Sequence, residues 1–406
     1  MLAALPVAEP DPLWALINAF RQDRRTDKID LIVGVYRDAS GQTPVMRAVR
    51  EAEARLASAA VSKSYRALSG NPAFNDGMSR LLLGEGAEAL DRQCTIQTVG
   101  GTGALRILSD FIALVSPHAT VWNTNPGYVN HRPIMTAAGL AVRSFRWQEN
   151  ETGLDLDAVV ADLGEARQGD VVLLHGCCHN PSGIDPTPEQ WRLLAKLCKD
   201  KGLIPLIDMA YQGFGDGIEE DAAGLRHFVQ ELDTALVAAS CSKNMGLYCE
   251  RTGAAMVIAP DRGLLANIRA TLERITRANY SMPPEHGAAI AAHLFENPGM
   301  WLAELEASRR RVAEIRSGLA DALAGCGAPD KFQALRRQKG MFSLLPLDQR
   351  QMNRLREDFG VYGTANGRIN IAGLLPRDVE RLAEALQTVS SAPSFVRAAR
   401  AIPGKV

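Results

Sequence analysis

Short apolar runs alternate with helix-like stretches through the middle of this 406-residue chain. The runs with the length and composition of buried strands are residues 119–122, 171–174, 203–207, 235–239 and 254–258. The helix-like stretches among them are residues 103–115, 129–138 and 187–201. This alternation predicts an α/β fold with a mostly parallel sheet and helices on both faces. Ligands of such sheets bind beyond the carboxyl ends of the strands.

The pattern changes after residue 281. A long helical pattern covers residues 285–323 with an interruption near residues 297–299, and a smaller α+β unit follows it. The strands and the final helix predicted for this unit are residues 340–344, 368–371 and 377–389. The basic run Arg309-Arg310-Arg311 is predicted to form a solvated helix face.

Charge and hydropathy argue against two classes of partner. The 45 basic and 46 acidic residues leave a net charge of −1, so no basic field invites nucleic acid. No run of about eighteen apolar residues occurs, and we therefore predict no membrane span. The first six residues, MLAALP, lack the positively charged start of a signal peptide. These features predict a cytoplasmic enzyme.

The seven cysteines are odd in number and irregularly spaced, which indicates reduced thiols instead of a disulfide framework. His175-Gly176-Cys177-Cys178-His179 has the composition of a metal-binding cluster. Adjacent cysteines of an extended chain point to opposite sides, however, and no second CxxC or HxxxH completes four ligands. We therefore predict no metal site and interpret these thiols as buried beside a functional loop.

A lysine and several hydrogen-bonding residues follow the predicted strands. Lys243 lies in Ser240-Cys241-Ser242-Lys243-Asn244, directly after one strand. Asp208 and Tyr211 close the preceding strand, and Asn180 follows an earlier one. Most lysines in such loops are only solvated, so these neighbours carry the argument. A lysine for an aldehyde, a carboxylate for a pyridine nitrogen and donors for a phenolate oxygen are the groups that pyridoxal phosphate requires.

A glycine-rich segment could hold the phosphate. Gly100-Gly101-Thr102-Gly103 opens a predicted helix, whose free N–H groups and dipole attract anions. The glycines alone are equally compatible with a tight turn that binds nothing. Ser240 and Arg251 favour the phosphate site, because a guanidinium can grip two phosphate oxygens. Arg106 replaces the third glycine of the GxGxxG fingerprint, which argues against a nicotinamide dehydrogenase.

The cofactor ring has its own candidate partners. A buried carboxylate stabilises a protonated pyridine nitrogen, and Asp208 is the candidate for that role. His131 and His175 either orient Asp208 or are ordinary hydrogen-bonded core histidines. Tyr128 is a candidate for the ring face, with simple core packing as its alternative.

The substrate requires cationic partners. An α-amino acid presents one carboxylate and a dicarboxylic amino acid presents two. Arg368 and Arg277 are the candidate partners, although spacing alone does not distinguish them from other arginines.

The segments that hold these candidates resemble the aspartate/aromatic aminotransferase family. The resemblance spans roughly residues 8 to 388 in chain order, and only the tail after about residue 390 falls outside it. The segments that carry it are GVYRD at 34–38, GGTGALR at 100–106, HGCCHNPSGID at 175–185, DMAYQGF at 208–214, SCSKN at 240–244, RANYS at 277–281 and GMFS at 340–343.

This resemblance implies a fold-type-I pyridoxal phosphate-dependent transferase, in which a large cofactor-binding domain with a mostly parallel sheet adjoins a smaller α+β domain. It also implies a homodimer with active sites at the subunit boundary. The implied division is an N-terminal arm at residues 1–12, a small domain at 13–44 and 311–406 with a peripheral tail at 390–406, and a large domain at 45–310.

The resemblance implies residue roles as well. Lys243 would form the Schiff base with pyridoxal 5′-phosphate and move the proton between the substrate Cα and the cofactor. Asp208 would pair with the ring nitrogen, and Asn180 and Tyr211 would contact the ring oxygen. The implied phosphate ligands are Gly101, Thr102, Ser240, Arg251 and, from the other subunit, Tyr65. The implied substrate contacts are Gly34, Tyr128, Asn180, Arg368 for the α-carboxylate and, from the other subunit, Arg277 for the distal carboxylate.

The sequence departs from the family pattern at three positions. Tyr128 stands where tryptophan is usual, Met282 replaces a small polar residue, and Ser182 replaces threonine. The serine is a mild change. An adaptable methionine and a smaller aromatic ring could make room for non-acidic side chains, so these positions bear on substrate preference.

The sequence therefore predicts an amino acid:2-oxoglutarate aminotransferase that works by a ping-pong cycle on aspartate and aromatic amino acids. Gly34-Val35-Tyr36 and Thr43-Pro44 resemble the aspartate-preferring members. Its predicted partners are amino acid and 2-oxo acid substrates and a second copy of the chain. The alternatives are a transaminase of a specialised amino acid, a lyase or decarboxylase with the same cofactor, and a non-catalytic regulator. A regulator would need a DNA-binding segment before Leu13, where the sequence leaves no room for one.

Overall fold

The structure is built around one seven-stranded sheet. The computed structural model describes residues 11–148 and 153–391; the predicted arm up to residue 10 and the predicted tail from residue 392 lie outside the described residues. The strands are β1 (Ile29–Asp30), β2 (Gln93–Val99), β3 (Thr120–Asn125), β4 (Ala141–Arg146), β5 (Val171–His175), β6 (Ile204–Met209), β7 (Ala235–Ser240), β8 (Thr252–Ile258), β9 (Phe342–Leu344), β10 (Val361–Tyr362) and β11 (Arg368–Asn370). The central sheet has the order β2-β8-β7-β6-β5-β3-β4. The strands from β7 to β4 are parallel and β8 is antiparallel to both of its neighbours, which confirms the predicted mostly parallel sheet.

Helices cover both faces of this sheet, as the alternation in the sequence predicts. The helices are α1 (Pro12–Gln22), α2 (Arg47–Ala59), α3 (Pro72–Leu83), α4 (Gly100–Val115), α5 (His131–Ala137), α6 (Leu156–Leu163), α7 (Pro188–Lys201), α8 (Ala223–Glu231), α9 (Leu265–Asn279), α10 (Glu285–Glu296), α11 (Pro298–Gly325), α12 (Gln349–Phe359) and α13 (Val379–Ser391). Val171 and Leu173 belong to the core that includes α4, α5 and α9, whereas Val172 and Leu174 belong to the core that includes α3, α7 and α8. Among the helices that the structure describes, none combines the length and apolarity that a membrane span requires.

Two strands of the central sheet escaped prediction, and both lie at its edges. β4 is exposed along most of its length and carries Arg143, Ser144 and Arg146. β2 has the sequence QCTIQTV, in which polar and apolar residues are mixed. An edge strand has a neighbour on one side only and tolerates polar residues, so neither strand shows the continuous apolar run of an inner parallel strand.

The predicted helix boundaries have identifiable local causes. α7 begins after Thr187, whose hydroxyl accepts the N–H of Gln190 while the Gln190 side chain accepts the N–H of Thr187. The helix ends at Gly202, which has a left-handed φ of 64°. The interruption of the long helical pattern is also real, because α11 starts at Pro298, directly after α10 and Asn297.

Two small sheets join segments that are distant in the sequence. β1 pairs with β10 in parallel, and β9 pairs with β11 in antiparallel orientation. β9 and β11 confirm the two strands predicted near residues 342 and 369, whereas β1 and β10 are only two residues long and have no detectable pattern. Segments near both ends of the described chain therefore lie together, as a small domain would require, although the boundaries at residues 44 and 310 stay predictions.

The basic run on α11 was predicted wrongly in part. Only Arg310 of the three arginines is exposed. Arg311 donates to the carbonyl of Leu374 at 3.1 Å, and its guanidinium lies 5.5 Å from the centre of the Tyr36 ring. Three successive residues on a helix point in directions about 100° apart, so a run of like residues cannot form one face.

The sheet brings the ends of several strands to one edge. His175 is the last residue of β5 and pairs with Asp208 near the end of β6. Ser240 ends β7 and pairs with Gly253 at the start of β8. β2 runs in the direction of β7 and leads directly into α4, so the start of that helix lies at the same edge.

Truncation of a central strand residue is expected to test this core. Leu206 of β6 is fully buried, whereas Leu193 of α7 is 51% exposed. Leu206→Ala should lower the free energy of unfolding by about 3 kcal/mol because it leaves a cavity, and Leu193→Ala should cost less than about 0.5 kcal/mol. Denaturant titration measures both values, and equal losses for the two variants would contradict the assignment of the core.

Candidate active site

The side chain of Lys243 lies over the ring of Tyr211 at the carboxyl edge of the sheet. Its Nζ is 4.7 Å from the centre of that ring. Asn180 Nδ2 donates to the Tyr211 hydroxyl at 3.3 Å. The loops that follow β5, β6 and β7 therefore meet at one point, and the structure brings together three residues predicted from separate segments.

Burial brings the pKa of the Lys243 amine close to neutral pH. Burial lowers the pKa of Lys243 to about 8, although the negative charge of Asp208 acts in the opposite direction and Arg251 adds to the lowering. The same burial raises the pKa of the Tyr211 hydroxyl well above its ordinary value. At neutral pH the site thus combines an amine that can lose its proton with a phenol that keeps its own.

Asp208 is a buried carboxylate held by a histidine. His131 Nε2 lies 2.9 Å from Asp208 Oδ2, and both side chains are almost inaccessible to water. Burial is the largest single influence on Asp208 and acts to raise its pKa, but the hydrogen bond from His131 and the electrostatic influence of His131, His175 and Lys243 together lower the pKa below its ordinary value. His175 lies beside this pair with its ring centre 5.0 Å from that of His131, and burial lowers its pKa to about 3. Both predicted orienting histidines therefore surround Asp208.

Tyr128 stands at the edge of the same cluster. Its ring meets that of His131 edge-on at 5.2 Å. Burial raises the pKa of the Tyr128 hydroxyl, and the nearby charge of Asp208 raises it further. Tyr128 is thus half-buried beside the carboxylate, as a residue on the face of a bound ring would be.

The opposite end of the cluster is a cradle for an anion. α4 begins at Gly100 without a side-chain cap, so the N–H groups of its first turn, which includes Gly101 and Thr102, are free to bind one. Gly100 has a φ of 68°, and a Cβ atom there would lie 2.5 Å from Nη2 of Arg251. A Cβ atom at Gly101 would lie 3.1 Å from that of Ser240. Glycine is favoured at the first position because its positive φ would strain any other residue, and a side chain there would also displace the Arg251 guanidinium.

Hydroxyl groups complete this cradle. Ser240 Oγ lies 3.0 Å from Ser242 Oγ, and Arg251 Nη1 donates to Ser242 Oγ at 3.4 Å and to the Tyr248 carbonyl at 3.0 Å. Ser242 was not predicted as a site residue, although it lies in the same SCSKN segment. The donor set fits pyridoxal 5′-phosphate: an uncapped helix start and a guanidinium for the phosphate, a buried carboxylate for the ring nitrogen, and Lys243 for the aldehyde.

Arg368 has a free nitrogen in the site. Its Nη2 donates to the Ile32 carbonyl at 3.0 Å, and its guanidinium lies 4.7 Å from the centre of the Phe342 ring. Its Nε is buried and has no hydrogen-bond partner among the described residues. Burial lowers the pKa of Arg368 from its ordinary value. A buried, unpaired guanidinium nitrogen is well suited to a carboxylate ligand.

Phe342 connects the arginine to Gly34. A Cβ atom at position 34 would lie 2.4 Å from Cζ of Phe342, so the ring requires glycine there. Asn370 Nδ2 donates to the carbonyls of Val33 and Val35, on either side of that glycine. Sequence reasoning missed the roles of Phe342 and Asn370, although both lie within segments that it had selected.

Tyr65 and Arg277 lie apart from this cluster, on the surface of the chain. Tyr65 is 93% exposed, and Arg277 is exposed at the end of α9. No ion pair or hydrogen bond links either side chain to the residues that the structure describes. Among the described residues of one chain, these two predicted ligands therefore contribute nothing to the site, and their action across a subunit boundary stays a prediction.

The adjacent cysteines contradict the geometric premise of the sequence argument. Cys178 has a φ of 52°, and the sulfur atoms of Cys177 and Cys178 and a carboxylate oxygen of Asp221 all lie within 4.8 Å of one another. The backbone is not extended here, so both thiols face one side. The Asp221 carboxylate already accepts three backbone N–H groups, and the buried guanidinium of Arg316 interacts electrostatically with Cys178.

Comparisons with known proteins identify the family and the fold. Residues 26–386 match the family model described as aminotransferase class I and II. Aspartate aminotransferase of Escherichia coli (strain K12) is 44% identical over 396 residues, which cover 96% of this chain and 100% of that protein. Aromatic-amino-acid aminotransferase of Paracoccus denitrificans is 43% identical over 390 residues, which cover 95% and 99%.

Solved structures agree with the sequence relatives. The structure of aromatic-amino-acid aminotransferase from Burkholderia pseudomallei is described as covalently bound to pyridoxal phosphate. It superposes with a TM-score of 0.94 at 37% identity and covers 96% of this chain and 99% of that one. The likeness therefore extends over nearly the whole of both chains.

Removal of the charge of Lys243 is expected to stabilise the cofactor-free protein. The folded pKa is about 8 and the ordinary value is 10.5, so below pH 8 the folded state bears the cost of a buried charge. Lys243→Met should therefore raise the free energy of unfolding at pH 7 by about 2 kcal/mol. Between pH 8 and pH 10.5 the folded wild type loses its proton first, and the advantage of the variant should disappear.

Denaturant titration at a series of pH values measures this difference. Lys63→Met, at an exposed lysine, is the control and should change little at any pH. An advantage of Lys243→Met that stays constant up to pH 11 would show that charge burial is not its cause.

Proposed function

The chain belongs to the class I and II aminotransferase family, and from that premise we propose that it transfers amino groups between aspartate or aromatic amino acids and 2-oxoglutarate. Pyridoxal 5′-phosphate is its cofactor. One observation carries the proposal: the amine of Lys243, with a pKa of about 8, lies over Tyr211 within the field of the buried Asp208 carboxylate. The reaction is a ping-pong cycle, in which the donor leaves as a 2-oxo acid before the acceptor binds.

Lys243 is the proposed base of both half-reactions. When bound, pyridoxal 5′-phosphate withdraws electrons from the substrate carbon that bears the amino group and so makes its proton removable. Lys243 Nζ then accepts that proton and returns one to the cofactor side. A base whose pKa is close to the working pH performs both transfers with little cost, and burial gives Lys243 such a pKa.

Asp208, Asn180 and Tyr211 are the proposed partners of the cofactor ring. The carboxylate of Asp208 remains ionised in its buried position because His131 donates to it. An ionised carboxylate holds the proton on the pyridine nitrogen, which maintains the electron withdrawal. Asn180 and Tyr211, which are hydrogen-bonded to each other, orient their donors toward the ring oxygen.

The proposed phosphate ligands are the free N–H groups of the first turn of α4, with Gly101 and Thr102, and the side chains of Ser240 and Arg251. They would hold the cofactor by its phosphate group. Arg368 is the proposed ligand of the α-carboxylate, because its buried Nε lacks a partner. Tyr128 is placed to contact the cofactor ring or the substrate, and Gly34 leaves room beside Phe342 for the substrate.

We propose that two copies of the chain form the active enzyme. Tyr65 and Arg277 are exposed and lack partners among the described residues of their own chain. Tyr65 would bind the phosphate of the partner's site, and Arg277 would bind the distal carboxylate of the partner's substrate. The homodimer thus completes each site with a hydroxyl and a guanidinium that one chain alone cannot provide.

The proposed substrates include both acidic and aromatic amino acids. Arg277 favours aspartate and glutamate, because it offers a second cation for their second carboxylate. Met282 Sδ accepts from the N–H of Arg66 at 3.3 Å on the surface that also carries Tyr65. An apolar side chain on that surface would accommodate an aromatic ring in the partner's site, to which Tyr128 would contribute from the other chain. The relatives at 44% and 43% identity are named as aspartate and as aromatic-amino-acid aminotransferases, which supports both classes.

We also propose a cytoplasmic location. All seven cysteines have free thiols, including the adjacent pair Cys177 and Cys178. Free thiols at close range are typical of proteins that reside in a reducing compartment.

Lys243→Ala tests the proposed mechanism. The variant should lose at least about 10⁴-fold in kcat for transamination of aspartate, because the proton-transferring base is removed. It should also lose the absorbance that marks covalent attachment of the cofactor aldehyde. Lys196→Ala, at an exposed lysine, is the control. Turnover by Lys243→Ala at close to the wild-type rate would refute the mechanism.

Arg277→Ala tests the substrate proposal. The variant should lower kcat/KM for aspartate by about 100-fold or more and leave that for phenylalanine nearly unchanged, since only aspartate presents a second carboxylate. Arg274→Ala is a matched control, because Arg274 is an exposed arginine on the same helix. Equal losses for the two substrates would remove the role of Arg277 and favour a lyase or decarboxylase that needs no second carboxylate site.

A further inference from the structure

His179 is a fully buried histidine that the mechanism above does not use. Its Nδ1 lies 2.8 Å from Ser182 Oγ, and its Nε2 lies 3.0 Å from Thr124 Oγ1. The ring stacks on Trp147 with the centres 4.7 Å apart and the planes at 14°. Both nitrogens therefore have a hydrogen-bond partner, and one face is covered.

The ring of His179 is uncharged. Burial lowers its pKa well below the ordinary value, and the neighbouring His175 acts in the same direction. A neutral imidazole donates from one nitrogen and accepts at the other. Hydroxyl groups can serve as partners in either sense, so Ser182 and Thr124 suit a neutral ring. A charged ring would require two acceptors and a nearby anion.

The two hydroxyls belong to two different loops of the site. Thr124 lies near the end of β3, just before the segment that carries Tyr128 and His131. Ser182 lies in the loop after β5, which also carries Asn180. His179 therefore links the loop that holds Asp208 through His131 to the loop that holds Tyr211 through Asn180.

The backbone around His179 is fixed as well. Its N–H donates to Asp185 Oδ1 at 2.8 Å, and its carbonyl accepts from the N–H of Gly183 at 2.7 Å. The Trp147 indole donates to the Ile184 carbonyl at 3.0 Å, so the stacking partner is anchored to the same loop. Because the backbone of His179 is fixed, its ring cannot follow a movement of Thr124 and restrains that residue instead.

We propose that His179 is a positioning residue, an uncharged link that holds the Asn180 loop and the Tyr128–His131 loop in register. The inference rests on the proposed roles of Asn180 and Asp208. Through Thr124 and Ser182 the ring sets the distance between the donor to the cofactor oxygen and the carboxylate at the cofactor nitrogen. It touches neither the cofactor nor the substrate.

Near-isosteric variants of the two hydroxyl residues test the link in the holoenzyme. Thr124→Val and Ser182→Ala should each lower kcat about 5- to 10-fold with a smaller change in KM, which corresponds to the loss of the buried hydrogen bond to His179. Ser182→Ala also removes the acceptor of the Ile184 N–H. The pH midpoint of the bound cofactor's visible absorbance should rise in both, because a displaced Asn180 donates less well to the ring oxygen. Thr124→Ser and Ser182→Thr keep a hydroxyl and should restore both properties.

Ser109→Ala is the matched control. Ser109 is fully buried; its hydroxyl donates to the Leu105 carbonyl at 2.6 Å and lies 3.0 Å from Met135 Sδ of α5, outside the two segments that His179 links. Its variant should lower the melting temperature as much as Ser182→Ala does but leave kcat and the absorbance midpoint unchanged. If Ser109→Ala shifted the midpoint equally, the effects would be general destabilisation and the proposal would be overturned.

A mutant cycle separates a link from two independent contacts. In a His179→Phe background, which keeps the stacking and removes both hydrogen bonds of the ring, Thr124→Val should cause no further loss of kcat, and Ser182→Ala only the loss that comes from its separate hydrogen bond with the Ile184 N–H. Full additivity would overturn the proposal. If the wild type bound the cofactor but transaminated none of the substrates, the proposed function would be refuted. The absorbance midpoints of the Thr124, Ser182 and His179 variants would still decide the role of His179.

Discussion

A carboxylate that remains ionised without water is the constraint on which the rest of this site depends. Asp208 is buried near the end of β6, and a buried charge is costly unless it is paired and hydrogen-bonded. His131 supplies the hydrogen bond, and His175 fills the adjoining space as a neutral ring. The same exclusion of water lowers the pKa of Lys243. The same water-free environment thus holds the Asp208 carboxylate, which its partners keep ionised, and the Lys243 amine, which burial makes easier to deprotonate.

The second dependence is mechanical and joins remote parts of the chain. Phe342 supports the guanidinium of Arg368 and excludes any side chain at position 34. Its ring also meets that of Tyr211 edge-on at 6.1 Å. A side chain on β9 therefore contacts residues from the start of the chain, from the loop after β6 and from β11. Changes in the packing of this ring would reach three proposed ligands at once.

The sequence predicts the inner strands and the polar residues at their ends, because buried parallel strands are continuous apolar runs and their carboxyl ends must converge. Lys243, Asp208, Asn180 and Tyr211 were all accessible to that reasoning, and the structure brings them together. The edge strands β2 and β4 were missed because their composition is mixed. The directions of the Arg311 side chain and of the Cys177 and Cys178 thiols were misjudged for a different reason. Their directions depend on helix rotation and on a single backbone angle, which residue types do not reveal. Partner choices such as His179 with Thr124 need tertiary contacts across 55 positions.

The reversed direction of β8 has a consequence for how the chain can vary. β7 reaches the site at Ser240 and β8 leaves it at Thr252, with the Cys241 N–H bonded to the Thr252 carbonyl at 3.0 Å. Had β8 been parallel, a crossover would have carried Arg251 to the far edge of the sheet. Instead, one antiparallel connection carries both Lys243, which would bind the cofactor aldehyde, and Arg251, which would bind its phosphate. The length of this connection therefore sets the distance between the two groups, which must match one cofactor molecule. Insertions and deletions between these two residues would change that distance and should impair cofactor binding.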